Sequence, residues 1–118
     1  MANKQSEFLE YILDLLEPSG GISACRMFGG HAIRKNGLPI ALIFDDEIYF
    51  KVDSTNQEDY KKMGSKPFTY EKGGKMIVVS NWKMPIDILE DHEKLMEWTE
   101  KSYNVAQSAK KPSKKKKV

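Results

Sequence analysis

The chain has 118 residues, of which 40% are hydrophobic and 31% charged, with a single cysteine. These figures describe one modest globular domain and exclude a disulfide scaffold, since Cys25 has no partner within the chain. The net charge of +2 hides an asymmetry: Lys110, Lys111 and Lys114 to Lys117 supply six of the 19 basic residues, leaving 13 basic against 17 acidic side chains in residues 1–109. A mildly acidic body lacks the electrostatic footprint of a DNA-binding domain, so nucleic-acid contact is expected from the tail.

Residues 5–17 read as an amphipathic helix. Phe8, Leu9, Ile12, Leu15 and Leu16 recur at helical spacing, Glu7, Glu10, Asp14 and Glu17 take the other face, and Ser6 is placed to cap the start. Pro18-Ser19-Gly20-Gly21 ends it. Ile22 to Phe28 reads as a strand broken by Gly29-Gly30, a pair that marks a bulge, a bend or a close backbone approach. His31 to Lys35 continues extended. Asn36-Gly37 signals a type I′ hairpin turn, because both positions need positive φ. Leu38 to Phe44 follows, with Leu38, Ile40, Leu42 and Phe44 expected on one face and Ala41 and Ile43 on the other. Both faces are apolar, so this strand is expected to be central. Asp45-Asp46 turns the chain into an alternating strand, Glu47 to Val52.

Thr55 and Glu58 match a capping box for a short helix that stops at Gly64. Phe68 to Glu71, a turn at Lys72-Gly73-Gly74 and the β-branched run Lys75 to Ser80 make a further hairpin, and Asn81 to Pro85 reads as an irregular exit. Asp87 with Glu90 suits one short helical turn, and Asp91 is placed to cap a final helix carrying Leu95, Met96, Trp98 and Tyr103. Its apolar residues do not form one narrow stripe, so it is expected to contact two surfaces. From Gln107 the composition predicts a disordered basic tail, giving a domain over 1–106 and a tail over 107–118. The order predicts an α+β fold: a mainly antiparallel sheet of five to six strands flanked by N- and C-terminal helices.

No catalytic constellation stands out. Gly29-Gly30 lacks the spacing of a phosphate loop. Two histidines and one cysteine at unrelated spacings do not make a metal site, and no cofactor is implied. The carboxylates at Asp45-Asp46-Glu47 and Glu90-Asp91 are turn and cap chemistry. Cys25 beside Arg26 is a candidate reactive thiolate, although a structural cysteine in a strand is the commoner case.

The ordered set Met27-Phe28-Gly29-Gly30, Asn36-Gly37, Ile48-Tyr49-Phe50-Lys51-Val52-Asp53, Pro67-Phe68-Thr69-Tyr70, Trp82 three residues before Pro85, Leu89-Glu90-Asp91 and Trp98 resembles the N-terminal domain of the TfoX/Sxy family. The resemblance covers residues 5–106. It implies a compact α+β domain. In members of full architecture it implies bacterial regulators of natural competence that act with the cyclic-AMP receptor protein and carry a second, helical C-terminal domain. Here only the basic tail follows Tyr103, so a stand-alone N-terminal domain is expected.

The leading expectation is a non-enzymatic regulatory module that binds a protein partner through Arg26, His31, Trp82 and Lys83, a transcription regulator being the partner the resemblance suggests. One alternative is a small ligand-binding domain or enzyme with a pocket near Cys25. The other is weak nucleic-acid binding through Lys110, Lys111, Lys114, Lys115, Lys116 and Lys117. An exposed sheet edge leaves a homodimer open. With a polar N-terminus and no apolar run of spanning length, no membrane association and a cytoplasmic location are expected.

Overall fold

The structure, a computed structural model, describes residues 4–27 and 29–110. Helix α1 (Lys4–Leu16) and a 3-10 turn (Glu17–Ser19) lead into strands β1 (Ile22–Met27), β2 (Gly30–Lys35), β3 (Leu38–Phe44) and β4 (Glu47–Lys51). Helix α2 (Gln57–Lys62) precedes β5 (Pro67–Lys72) and β6 (Lys75–Lys83), and α3 (Ile86–Leu89) and α4 (His92–Lys110) close the domain. The six strands form one sheet in the order β1-β2-β3-β4-β6-β5, every pair antiparallel. The expected α+β fold with flanking helices is the observed one.

Tight turns set this topology. Asn36 and Gly37 have φ of 51° and 83°, Asp45 and Asp46 55° and 59°, and Gly73 and Gly74 58° and 82°. Positive φ at both central residues matches the turn to the right-handed twist of the strands. Asp45-Asp46 achieves it without glycine, which Asp tolerates better than most residues. At the β1–β2 bend the requirement is different. A Cβ on Gly30 would lie 2.0 Å from the Ile43 carbonyl oxygen, so the glycine is there to let two backbones approach.

The helices cover one face of the sheet. Ile33, Ala41, Ile43, Ile48 and Phe50 from the strands join Ile12 and Leu16 of α1 and Leu95, Trp98 and Ala106 of α4 in one core. Leu38 and Ile40 also pack with this core, whereas Leu42 and Phe44 do not. The expected four-residue face of β3 is therefore split. A register shift opposite Ile33 and Arg34 puts one extra residue into β3, and the bulge changes the phase of the alternation.

Several local expectations are corrected. The first helix begins at Lys4, so Ser6 lies inside it and does not cap it. The Thr55/Glu58 capping box does not form. Asn56 occupies the cap position of α2 without a side-chain cap bond; its amide instead accepts from the Asp53 N–H at 2.9 Å and donates to the Lys51 carbonyl at 3.2 Å. Thr55 bonds the Asp53 carboxylate through its N–H and its hydroxyl, at 2.8 and 2.6 Å, in an Asx turn. Pro85, not Asp87, precedes the short helix α3. Residues 81–83, read as an irregular exit, continue β6 and pair with β4. Asp91 does cap α4: its carboxylate accepts from the Lys94 N–H at 3.2 Å. Buried Leu95, Trp98, Thr99, Ser102, Val105 and Ala106 define the inner stripe of α4, which meets β3, β4, α3 and α1. Helix α4 continues over 107–110, past the expected domain boundary, and residues 111–118 lie outside the described residues.

Candidate binding cleft and hairpin surface

Among the described residues no helix covers the centre of the second face of the sheet. Leu42 and Phe44 stand there, and the sheet coils so strongly that β5 folds back over them. The ring of Phe68 lies 5.6 Å from that of Phe44 and 4.7 Å from that of Tyr49. The result is a cleft of about 540 Å³ lined by Met27, His31, Leu42, Phe44, Phe68, Tyr70, Lys72 and Val79, with Ile43 at its base. Its wall is mostly apolar. Two polar groups interrupt it, the Tyr70 hydroxyl and Lys72, both on exposed residues; the His31 side chain shares the face of its partner Ile43, and its Nδ1 is buried with no hydrogen-bond partner among the described residues.

The β5–β6 hairpin has a second surface. Val79 lines the cleft, so the alternation of β6 points Val78 and Met76 to the opposite side. Val78 is 64% and Met76 66% exposed, and Thr69 and Glu71 pair with them across the hairpin. β5 is the outermost strand, with no strand on its far side among the described residues. An apolar pair beside an open edge is the kind of surface that takes a partner.

A polar chain runs along β4 and β6. The Tyr49 hydroxyl donates to Glu47 Oε1 at 2.7 Å, and Lys83 Nζ donates to Glu47 Oε2 at 3.0 Å. Together they hold the Glu47 carboxyl below its usual value, the tyrosine bond being the larger cause. Burial first, and the Glu47 carboxylate second, push the Tyr49 phenol well up. Burial does the same to Tyr60, whose hydroxyl has no partner among the described residues.

The residues singled out in the sequence fall into two groups. Arg26 and His31 are cross-strand neighbours at the β1–β2 end, Arg26 exposed and His31 half-buried. Trp82 and Lys83 lie on β6, three strands from β2, about 14 Å away at the usual strand spacing. Trp82 is half-buried on the helix-covered core, its ring 6.4 Å from that of Tyr60, while Lys83 is engaged with Glu47. The four do not form one patch. Cys25 is a free, half-buried thiol in edge strand β1; it pairs with Ala32, and Ala32 pairs with Leu42, which places it two strands from Leu42 on the same face. Lys110 ends α4; Lys111 and Lys114 to Lys117 lie outside the described residues.

Sequence reasoning missed Phe68, Tyr70 and Val79 as cleft residues. The alternation of Phe68, Tyr70 and Lys72 was a usable signal, since it leaves an aromatic stripe on one side of a short strand. Among the described residues no group of three or more His, Cys, Asp or Glu stands close enough to hold a metal ion. No described helix is long and apolar enough to cross a membrane.

A family model described as the TfoX N-terminal domain matches residues 14–106. No curated protein matches the chain.

Proposed function

The chain belongs to the TfoX N-terminal domain family, and from that premise we propose that it is a non-enzymatic regulatory module that acts in the cytoplasm by binding a protein partner. The observation that carries this reading is the exposed pair Met76 and Val78 beside the open edge of β5. Strand addition along β5 would satisfy the backbone groups of the edge, and alternate side chains of the added strand would cover the apolar pair. Methionine is enriched at such surfaces because its flexible thioether adapts to a partner. The resemblance to competence regulators supports a component of the transcription machinery as the partner.

The test is capture from native lysate on the immobilised full chain, compared with the double variant Met76→Glu, Val78→Glu. Both positions are largely exposed, so the variant is expected to fold with stability unchanged within about 0.5 kcal/mol. The expected result is a partner retained by the wild type and lost by the variant. Equal capture by both proteins, or no specific capture by either, refutes the reading.

A further inference from the structure

We propose that the chain pairs with a second copy of itself along the open edge of β1, as a two-fold dimer in which Arg26 of each copy enters the acidic groove beside Ile22 of the other. This edge is at the far end of the sheet from β5, so the proposal stands whether or not Met76 and Val78 take a partner.

The edge is open and weakly guarded. β1 ends the sheet, with no strand on its far side among the described residues. Charged side chains and proline keep edge strands from pairing with one another; β1 has a single charge, Arg26, and no proline. Its backbone phase is fixed by β2. The Asn36 N–H donates to the Gly21 carbonyl at 2.8 Å, and Ile22 to Met27 then pair with β2 without a register shift. Hydrogen-bonding groups alternate sides along an antiparallel strand. Those of Ser23 and Cys25 therefore turn toward β2, and those of Ile22, Ala24 and Arg26 turn outward. A two-fold axis beside Ala24 uses all three: Ala24 lies opposite the partner's Ala24, and Ile22 opposite the partner's Arg26. Moving the axis to Ser23 or Cys25 leaves Arg26 or Ile22 beyond the paired segment.

Side-chain charge selects the same register. Ile22 and Ala24 pack with the helix-covered core, and Arg26 shares their face by alternation. Helix α1 lies on that face, where its Asp14 and the following Glu17 line a groove with Leu13, Ile22 and Ser23. Opposite Ile22, the partner's Arg26 faces this groove. Arg26, Asp14 and Glu17 are all exposed, and none has an ion pair among the described residues. The two-fold makes the contact twice, and a guanidinium meeting carboxylates is the strong form of ion pair.

Sedimentation equilibrium of the full chain reads the mass, expected at twice the 13.5 kDa of one chain. Arg26→Glu, and separately the double variant Asp14→Arg, Glu17→Arg, place like charges in contact and are each expected to weaken the dimer at least about tenfold. Mixed in equal amounts, the two proteins are expected to regain wild-type affinity, because every contact in the mixed pair again joins opposite charges. Ser23→Cys reads the register. Ser23 lies opposite the partner's Cys25 in a non-hydrogen-bonded pair, within disulfide reach. Oxidation of that variant with copper phenanthroline is expected to give a covalent dimer that neither the wild type nor Ser23→Cys, Cys25→Ser gives. A monomeric wild type overturns the proposal, as does a mixture that associates no more tightly than its components. A dimer lost in Met76→Glu, Val78→Glu but kept in Arg26→Glu lies on the β5 side and overturns it too. Cross-linking of the wild type as strong as that of Ser23→Cys overturns the register.

Discussion

Phe68 of β5 stands nearly edge-on to Phe44 of β3, their ring centres 5.6 Å apart at 67°, although β4 and β6 separate the two strands in the sheet. That contact exists only because the sheet coils back on itself. It closes one side of the cleft. Edge-to-face pairs contribute about 0.5–1.5 kcal/mol beyond their buried area. A double-mutant cycle of Phe44→Leu and Phe68→Leu, followed by urea unfolding, is expected to return a coupling energy of about 1 kcal/mol. A coupling near zero would show that the hairpin does not lean on β3 in solution.

Gly30 and Gly37 separate two reasons for glycine. Gly30→Ala drives a Cβ into the Ile43 carbonyl, a backbone atom that cannot rotate away, and is expected to cost more than about 2 kcal/mol. Gly37→Ala meets open space and suffers only from its φ of 83°, at about 1–2 kcal/mol. Chemical denaturation of the two variants gives the order directly; Gly37→Ala as the worse of the two would contradict the close approach.

Lys35 is a lysine only 6% exposed. Its Nζ donates to the carbonyls of Ser19 and Gly20, at 2.5 and 2.9 Å, and lies 5.3 Å from the centre of the Tyr103 ring. It thus ties the end of the 3-10 turn to β2 and to α4. Hydrogen bonds from a charged donor contribute about 1.5–3 kcal/mol, and Lys35→Met, which keeps the stem and loses the donors, is expected to cost about 2 kcal/mol. The neighbouring exposed Arg34→Met is the control and is expected to cost less than about 0.5 kcal/mol.

The tyrosines predict the alkaline limb of stability. Tyr49 and Tyr60 both hold their protons in the fold beyond the ordinary tyrosine value of 10.0, because burial disfavours the phenolate. Above pH 10 the unfolded chain loses protons that the folded chain keeps, so stability falls as pH rises. Tyr60→Phe removes one such group together with an unpaired buried hydroxyl. It is expected to leave stability at pH 7 within about 0.5 kcal/mol of wild type and to flatten the decline above pH 10. Thermal unfolding measured from pH 7 to 11 reads both effects; a steeper decline in the variant would reverse the assignment.

Glu47 governs a smaller effect at the acid end. Its folded value lies below the ordinary 4.5, so its contribution is present above that pH and is lost as the pH falls through the folded value. Its side chain is 40% exposed, and solvent screening limits the contribution to about 0.5 kcal/mol. Glu47→Gln is expected to lower stability by that amount at pH 7 and by nothing measurable at pH 2. A difference that persists at pH 2 would point to packing instead.

The local syntax of the chain was legible because its causes are local. Asn36-Gly37, Asp45-Asp46 and Gly73-Gly74 demand positive φ wherever they occur, and the runs between them alternate. Turns of two residues leave antiparallel neighbours as the only outcome, so three hairpins and an α+β domain followed from sequence alone. The Gly29-Gly30 pair was legible as a bulge, a bend or a close approach, but the choice among them was not, since the Ile43 carbonyl that Gly30 approaches is thirteen positions downstream.

What tertiary structure decided was everything that depends on curvature and phase. Trp82 reads as a candidate interface residue in an irregular exit, yet β6 runs on to Lys83 because β4 pairs with it there, and the ring turns toward the core. One bulge between β2 and β3 moved Ile40 to the helix-covered side and left Leu42 and Phe44 for the cleft. The coiling of six strands then brought Phe68, Tyr70 and Lys72 over them. Twist accumulates across strands far apart in sequence, so no window of residues contains it. The sequence alone determined the elements and their neighbours; the summed twist of the sheet determined that its uncovered face closes into a cleft.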